Sequence, residues 1–182
     1  MESAVALIDP KYIHNVAAAV RAASCFGASS VLFTGERAQE HMGTRLPREE
    51  RMKAYRSVRW WNETSPRPFA ALAHLTPVAV ELLPGAERLE TFHHPEDALY
   101  VFGPEDGAIP GGIRSACHRF VVVPTYHCMN LSAAAYVVLF HRALDLHARL
   151  GVPMPELVEP RGEDALAESD WWTSTALEEE PA

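Results

Sequence analysis

Five stretches of this chain are apolar without a break: Val5-Ala6-Leu7-Ile8, Ser30-Val31-Leu32-Phe33, Val78-Ala79-Val80, Leu99-Tyr100-Val101-Phe102 and Phe120-Val121-Val122-Val123. None alternates apolar with polar positions, so each predicts a strand covered on both faces, as in a parallel sheet. Helical spacing falls between them, near residues 15–27, 47–57, 109–117 and 131–149. Strand and helix in turn predict a doubly wound α/β domain. Pro66 to Pro68 marks a loop, and Pro153, Pro155 and Pro160 close the patterned region. We therefore expect a domain over residues 1–155 and a flexible tail over 156–182 that carries Trp171 and Trp172. No internal repeat is evident.

Two helices carry more than their period. Asn15 is placed to cap the first, after the turn at Pro10. On that helix Val16, Ala19, Val20, Ala23, Phe26 and Gly27 gather on one face. Arg21 points nearly the opposite way, among Ala17, Ala18, Ser24 and Cys25. A cation among small side chains leaves room for close approach, although a solvated surface arginine has the same pattern. The last helix is apolar all round from Leu131 to Phe140, which predicts burial on every side. In so small a domain that points to a partner subunit, although a central core helix of a monomer has the same pattern. It becomes amphipathic only at His141, Arg142, Asp145 and Arg149. The apolar run is too short to span a bilayer, which takes about 20 residues.

Two glycine- or asparagine-bearing stretches lie just beyond predicted strands. Gly103-Pro104-Glu105-Asp106-Gly107-Ala108-Ile109-Pro110 links a strand to a helix. Gly103 lets a backbone approach a ligand without a Cβ in the way. The stretch is neither a dinucleotide fingerprint nor a phosphate-binding P-loop. Val123-Pro124-Thr125-Tyr126-His127-Cys128-Met129-Asn130-Leu131-Ser132 has the same layout, and Asn130 or Ser132 is a ready helix cap. In an open parallel sheet, ligands bind at this carboxyl edge.

The charge of −8 over 182 residues is uneven. Nine of the 24 acids but one of the 16 bases fall from Glu156 onward, so the remainder balances at fifteen of each. Between Arg37 and Arg59 lie seven bases and three acids, a local cationic segment of the kind that meets a phosphate backbone. A solvated loop and helix would also carry it. The start of the chain lacks a basic region and soon meets Asp9-Pro10, so no secretory signal is expected. Cys25, Cys117 and Cys128 read as reduced thiols of a cytoplasmic protein.

Taken in order, Asn15…Arg21, Gly103-Pro104-Glu105 and Met129-Asn130-Leu131-Ser132 resemble the three motifs of the SpoU–TrmH-type branch of the SPOUT methyltransferases, over roughly residues 4–149. The resemblance implies transfer of a methyl group from S-adenosylmethionine to a ribose 2′-hydroxyl of RNA. It also implies a deep trefoil knot at the C-terminal side of the domain and a homodimer. By position, Arg21, Asn15, Glu105 and Asn130 are then catalytic. Glu81, Leu82, Gly103, Val123, Met129, Leu131 and Ser132 hold the cofactor. Arg45, Arg48, Arg51, Lys53 and Arg56 meet RNA. Three positions depart from the family pattern: Ala17 for glycine, Cys128 for serine, and Asp106 where many relatives are neutral or basic.

Displacement at a sulfonium methyl by a poor nucleophile gains most from orientation and from stabilising developing negative charge. A guanidinium keeps its charge at neutral pH and is an awkward general base. Arg21 is therefore read as an electrostatic and positioning group, with an RNA phosphate assisting proton removal. Asn15 would orient the site and Glu105 would fix Arg21 or Asn15. Without an appended RNA-binding domain the chain resembles the compact enzymes that act on tRNA. The rival readings are the same chemistry on rRNA, and a module that binds RNA or S-adenosylmethionine without turnover. Cys117-His118 and His127-Cys128 match no established zinc spacing, and no metal is expected. His93, His94 and the other histidines are expected at the surface or satisfied in the core.

Overall fold

Along the first strand Ala4, Ala6 and Ile8 turn to one side and Val5 and Leu7 to the other, and all five are buried. That division organises the computed structural model, which describes residues 1–40 and 46–155, with the backbone alone at Glu49 and Glu50. Seven strands form one parallel sheet: β1 (Ser3–Leu7), β2 (Ser30–Thr34), β3 (Arg59–Glu63), β4 (Thr76–Val80), β5 (Glu87–Arg88), β6 (Ala98–Phe102) and β7 (Arg119–Val122). Their order across the sheet is β3-β2-β1-β6-β4-β7-β5. Val5 faces Val31 on one side and Tyr100 on the other, so apolar positions stack in register through the centre.

The five expected strands are present. β3 and β5 are additions at the two edges, and both escape a search for continuous apolar runs. An edge strand has one partner and one open flank. Arg-Trp-Trp-Asn-Glu and Glu-Arg suit that position without being apolar throughout.

One face of the sheet is covered by α1 (Ile13–Phe26) and α5 (Leu131–Leu150). Ala17, Ala19, Ala22 and Ala23 are fully buried, so small side chains let α1 lie close to the sheet and to α5. Both helices stop at a glycine with positive φ, Gly27 and Gly151. The other face is covered by the 3₁₀ turn Ala70–Leu72, by Ile109, and by Cys117 after the short α4 (Gly111–Arg114). Two further short helices, α2 (Arg37–Glu40) and α3 (Arg48–Arg51), follow β2.

Three expectations change. Asn15 does not cap α1: Tyr12 holds that position, and Asn15 lies buried inside the first turn. The helix expected over 47–57 breaks at Met52, whose φ is +49°, and resumes as the 3₁₀ turn Ala54–Arg56. The break lets Leu46, Ala54 and Val58 all reach the core under α1. On α5, Val137, Phe140 and Leu144 are 38%, 46% and 42% exposed, so the helix is not buried all round within one chain. Arg142, read as part of a polar face, is buried instead. Its guanidinium donates to the carbonyls of Pro95 (2.8 Å), Glu96 (2.5 Å) and Glu2 (3.3 Å).

Candidate active site

The carboxyl ends of β4, β6 and β7 border a cavity of about 440 Å³, within the ~300–1,000 Å³ range of small-molecule sites. Val80, Leu82, Val122, Val123 and Leu131 supply much of its apolar lining, and Asn15, Glu105 and Asn130 its polar part. Gly103 is required here, though by its own loop. A Cβ on it would meet Ile109 N at 3.0 Å and Ala108 C at 3.2 Å.

One chain of hydrogen bonds joins the three motifs. A carboxylate can only accept, so Glu105 fixes the orientation of everything behind it. Asn15 Nδ2 donates to Glu105 Oε1 at 2.5 Å. Asn15 Oδ1 is thereby turned toward Asn130, whose Nδ2 donates to it at 3.1 Å. Asn130 Oδ1 then faces the start of α5 and accepts from the Ser132 and Ala133 amides at 2.9 and 3.2 Å. Asn130 is thus the cap of α5, which satisfies amides that have no partner inside the helix. Ser132 Oγ donates to Asn130 Oδ1 at 2.7 Å and braces it.

The surrounding loops are tied to this chain. Glu105 Oε2 accepts from the Lys11 amide at 2.7 Å. Glu81 bonds the Leu82 amide with Oε1 and the Ile109 amide with Oε2, at 3.0 and 2.9 Å, which links the loops after β4 and β6. Arg37 grips Asp106 through both terminal nitrogens at 3.0 to 3.1 Å and reaches Asp9 at 3.3 Å. The Arg37 hydrogen bond, with help from the nearby Lys11 charge, holds the Asp106 carboxyl below its ordinary range. Arg37 itself is held above its usual value by Asp106. Asp106, the acid that departs from the family pattern, is therefore an anchor for the loop bearing Glu105.

Of the expected cofactor residues, Glu81, Leu82, Gly103, Val123, Met129 and Leu131 line the cavity. Ser132 does not; it acts on Asn130 and approaches Asn15 Oδ1 at 3.4 Å. Asn15, Glu105 and Asn130 converge, but Arg21 does not join them within one chain. It is exposed on α1, two turns along from Asn15, and has no hydrogen-bond or ion-pair partner among the described residues. Arg48, Lys53 and Arg56 are exposed around the broken helix, and Arg51 is half-buried. Arg45 and the tail from residue 156 lie outside the described residues. Tyr12, Pro104 and Thr125 also line the cavity and were not singled out. Adjacency to Asn15, Gly103 and Asn130 in the chain was the signal that could have found them. His94 is a buried, satisfied core histidine, as expected. Among the described residues no group of three or more His, Cys, Asp or Glu is placed to hold a metal ion, and no helix is long and apolar enough to cross a membrane.

A parallel α/β sheet with a cavity at its carboxyl edge, closed by an asparagine relay, defines a ligand-binding protein of the doubly wound class. A sequence model of the SpoU rRNA Methylase family matches residues 2–140. The chain belongs to that family. The fold is shared with the structure described as the A. aeolicus TrmH/SpoU tRNA modifying enzyme, at a TM-score of 0.69 and 16% identity, over 97% of this chain and 90% of that one. The SpoU methyltransferase AviRb from Streptomyces viridochromogenes in complex with AdoMet superposes at 0.66 and 17% identity, over 76% of this chain and 58% of that one. An rRNA methyltransferase from Sinorhizobium meliloti gives 0.64 and 18%, over 80% and 56%. This chain thus spans less than two thirds of the length of the last two. A structure described by 2-OH methylation of C/U34 on tRNA gives 0.67 and 19%, over 81% and 98%. No curated protein matches the chain.

Proposed function

We propose that the chain is an S-adenosylmethionine-dependent RNA methyltransferase that methylates a ribose 2′-hydroxyl, with tRNA as its substrate. The observation that carries this is the hydrogen-bonded relay Glu105–Asn15–Asn130, which gathers three distant motifs at one cavity. The lining suits the cofactor: Val80, Leu82, Val123 and Leu131 offer an apolar slot for a flat base, and Glu105 a negative charge for a sulfonium. S-adenosylmethionine, when bound, supplies an electrophilic methyl group. Asn15 and Asn130 keep the polar part of the cavity preorganised, which is what an in-line displacement needs. The structure described by tRNA 2-OH methylation is matched over nearly its whole length, which favours tRNA over rRNA.

Arg21 enters this reading as a charge donated across a homodimer. The exposed apolar row Val137, Phe140 and Leu144, with Phe26 packed against Phe140 at 5.8 Å between ring centroids, supports that interface. Arg45, Arg48, Arg51, Lys53 and Arg56 are read as the RNA-facing cations. The reading also includes a cytoplasmic location, a domain ending near residue 155, and a deep trefoil knot. Insertion of β7 between β4 and β5, followed by the return of α5 onto α1, supports the knot.

Incubation with methyl-labelled S-adenosylmethionine and total RNA, followed by nucleoside analysis, tests the reading. Label in a 2′-O-methylated nucleoside of the tRNA fraction is expected. Label in the rRNA fraction favours the rival substrate, and binding without transfer favours a non-catalytic module. Phe140→Asp should convert dimers to monomers in size-exclusion chromatography and abolish transfer; an unchanged elution volume removes this face from the interface.

A further inference from the structure

The 3₁₀ turn Ala54–Arg56 after α3 carries an aromatic ring that neither the cavity nor the core uses. Leu46, Ala54 and Val58 plug the 46–58 segment into the core beneath α1, so the segment is anchored at three points. Between those plugs Tyr55 is 44% exposed. The Arg51 guanidinium lies 4.4 Å from its ring centroid and that of Arg56 lies 5.9 Å away. Arg51 is itself fixed, with Nε donating to the Leu46 carbonyl at 2.9 Å and Nη1 to that of Met52 at 3.0 Å. The neighbouring Arg56 guanidinium, with help from Arg51, holds the Tyr55 phenol below its ordinary pKa. The Arg51 guanidinium is therefore held against one face of the ring.

The position of the ring gives it meaning. Ser57 Oγ and Ser24 Oγ are 3.1 Å apart, so the loop flanks α1 one turn beyond Arg21. Nine residues of helix separate Ser24 from Asn15 at the cavity, about 14 Å at 1.5 Å per residue. That separation along α1 is a span of a few nucleotides. Phosphate contacts alone need only the cations. An exposed ring already backed by a guanidinium adds a sequence-tolerant stacking surface of the kind that single-stranded RNA uses.

We propose that Tyr55, backed by Arg51 and Arg56, is a stacking platform for an unpaired nucleobase, so that the substrate is presented as a single-stranded or looped segment. This rests on the RNA methyltransferase reading. Arg59 over Trp61, at 4.6 Å, does not form a second such platform, because Trp61 is half-buried against the opposite face of the sheet.

The test is fluorescence anisotropy of the full-length protein with a labelled oligouridine and with a blunt RNA duplex of equal length. Salt is held fixed because phosphate contacts depend on it. Tyr55→Ala should weaken oligouridine binding about tenfold and leave the duplex within about twofold, whereas Tyr55→Phe and Tyr55→Trp should bind like the parent. A common melting temperature for all variants shows that the loop remains folded. Unchanged oligouridine binding by Tyr55→Ala, or equal loss for strand and duplex, overturns the proposal and leaves the functional reading standing. A parent protein that binds neither RNA but captures an acidic peptide overturns both.

Discussion

The α1–α5 layer holds a polar network at each end, and the two differ in what remains open. At the carboxyl edge of the sheet, Asn15, Asn130 and Glu105 form a directed relay that borders a cavity. Toward the amino edge, His94 is 2% exposed and bonded on both ring nitrogens, Nδ1 to the Tyr100 hydroxyl and Nε2 to His141 Nδ1. A neutral imidazole has one donor and one acceptor, so Tyr100 and His141 must take complementary roles. Arg142 spends its donors on three backbone carbonyls, and Asp145 collects His93, the His94 amide and Arg149. The cavity at the carboxyl edge does not reach this second cluster. Count of polar groups does not separate a site from a structural clasp; spare capacity beside an open volume does.

Breaking each end should therefore give different phenotypes. The largest effect on stability is expected from Arg142→Ala, which strips three buried carbonyls of their donor and should cost about 3 kcal/mol in urea unfolding. Binding of S-adenosylmethionine to the remaining folded protein should be unchanged. Asn15→Ala should reverse the pattern: methyl transfer falls roughly a hundredfold, while stability falls by only about 1 kcal/mol. Equal losses in both assays for both variants would erase the contrast.

A smaller effect comes from pH. Burial first, and then the like charge on His141, pushes the His94 imidazole down to about 3, and burial also lowers His141. The unfolded chain binds a proton near its ordinary value of about 6.5 while the native chain does not. Stability contributed by neutral His94 is therefore complete above about 6.5 and is lost as pH falls toward about 3, by about 1.4 kcal/mol per unit. Burial works to raise the Asp145 carboxyl, but hydrogen bonds from Arg149 and His93 outweigh it and hold it low, so its contribution fades with acid in the same direction at lower pH. His94→Phe should flatten the denaturation midpoint between about pH 6.5 and 5; an unchanged slope would place the titrating group elsewhere.

Legibility followed the range of the interactions. Val5–Ile8, Leu99–Phe102 and the other apolar runs announced themselves because a strand buried on both faces must be apolar at every position. β3 and β5 did not, since an edge tolerates Arg59, Asn62 or Glu87. The motif residues were visible as polar or glycine positions just past strands. Their chemistry depended on partners about ninety to 115 residues away in sequence.

Local composition alone determined that this chain builds a parallel α/β layer with glycine and asparagine at its carboxyl edge, because hydrophobic period and turn chemistry act over a few residues. Tertiary structure decided that Asn15 faces Glu105 rather than capping its helix, that Arg142 turns inward, and that Arg37 is spent on Asp106. Each of those outcomes is a choice among hydrogen-bond partners, and only the folded arrangement brings the competing partners within reach.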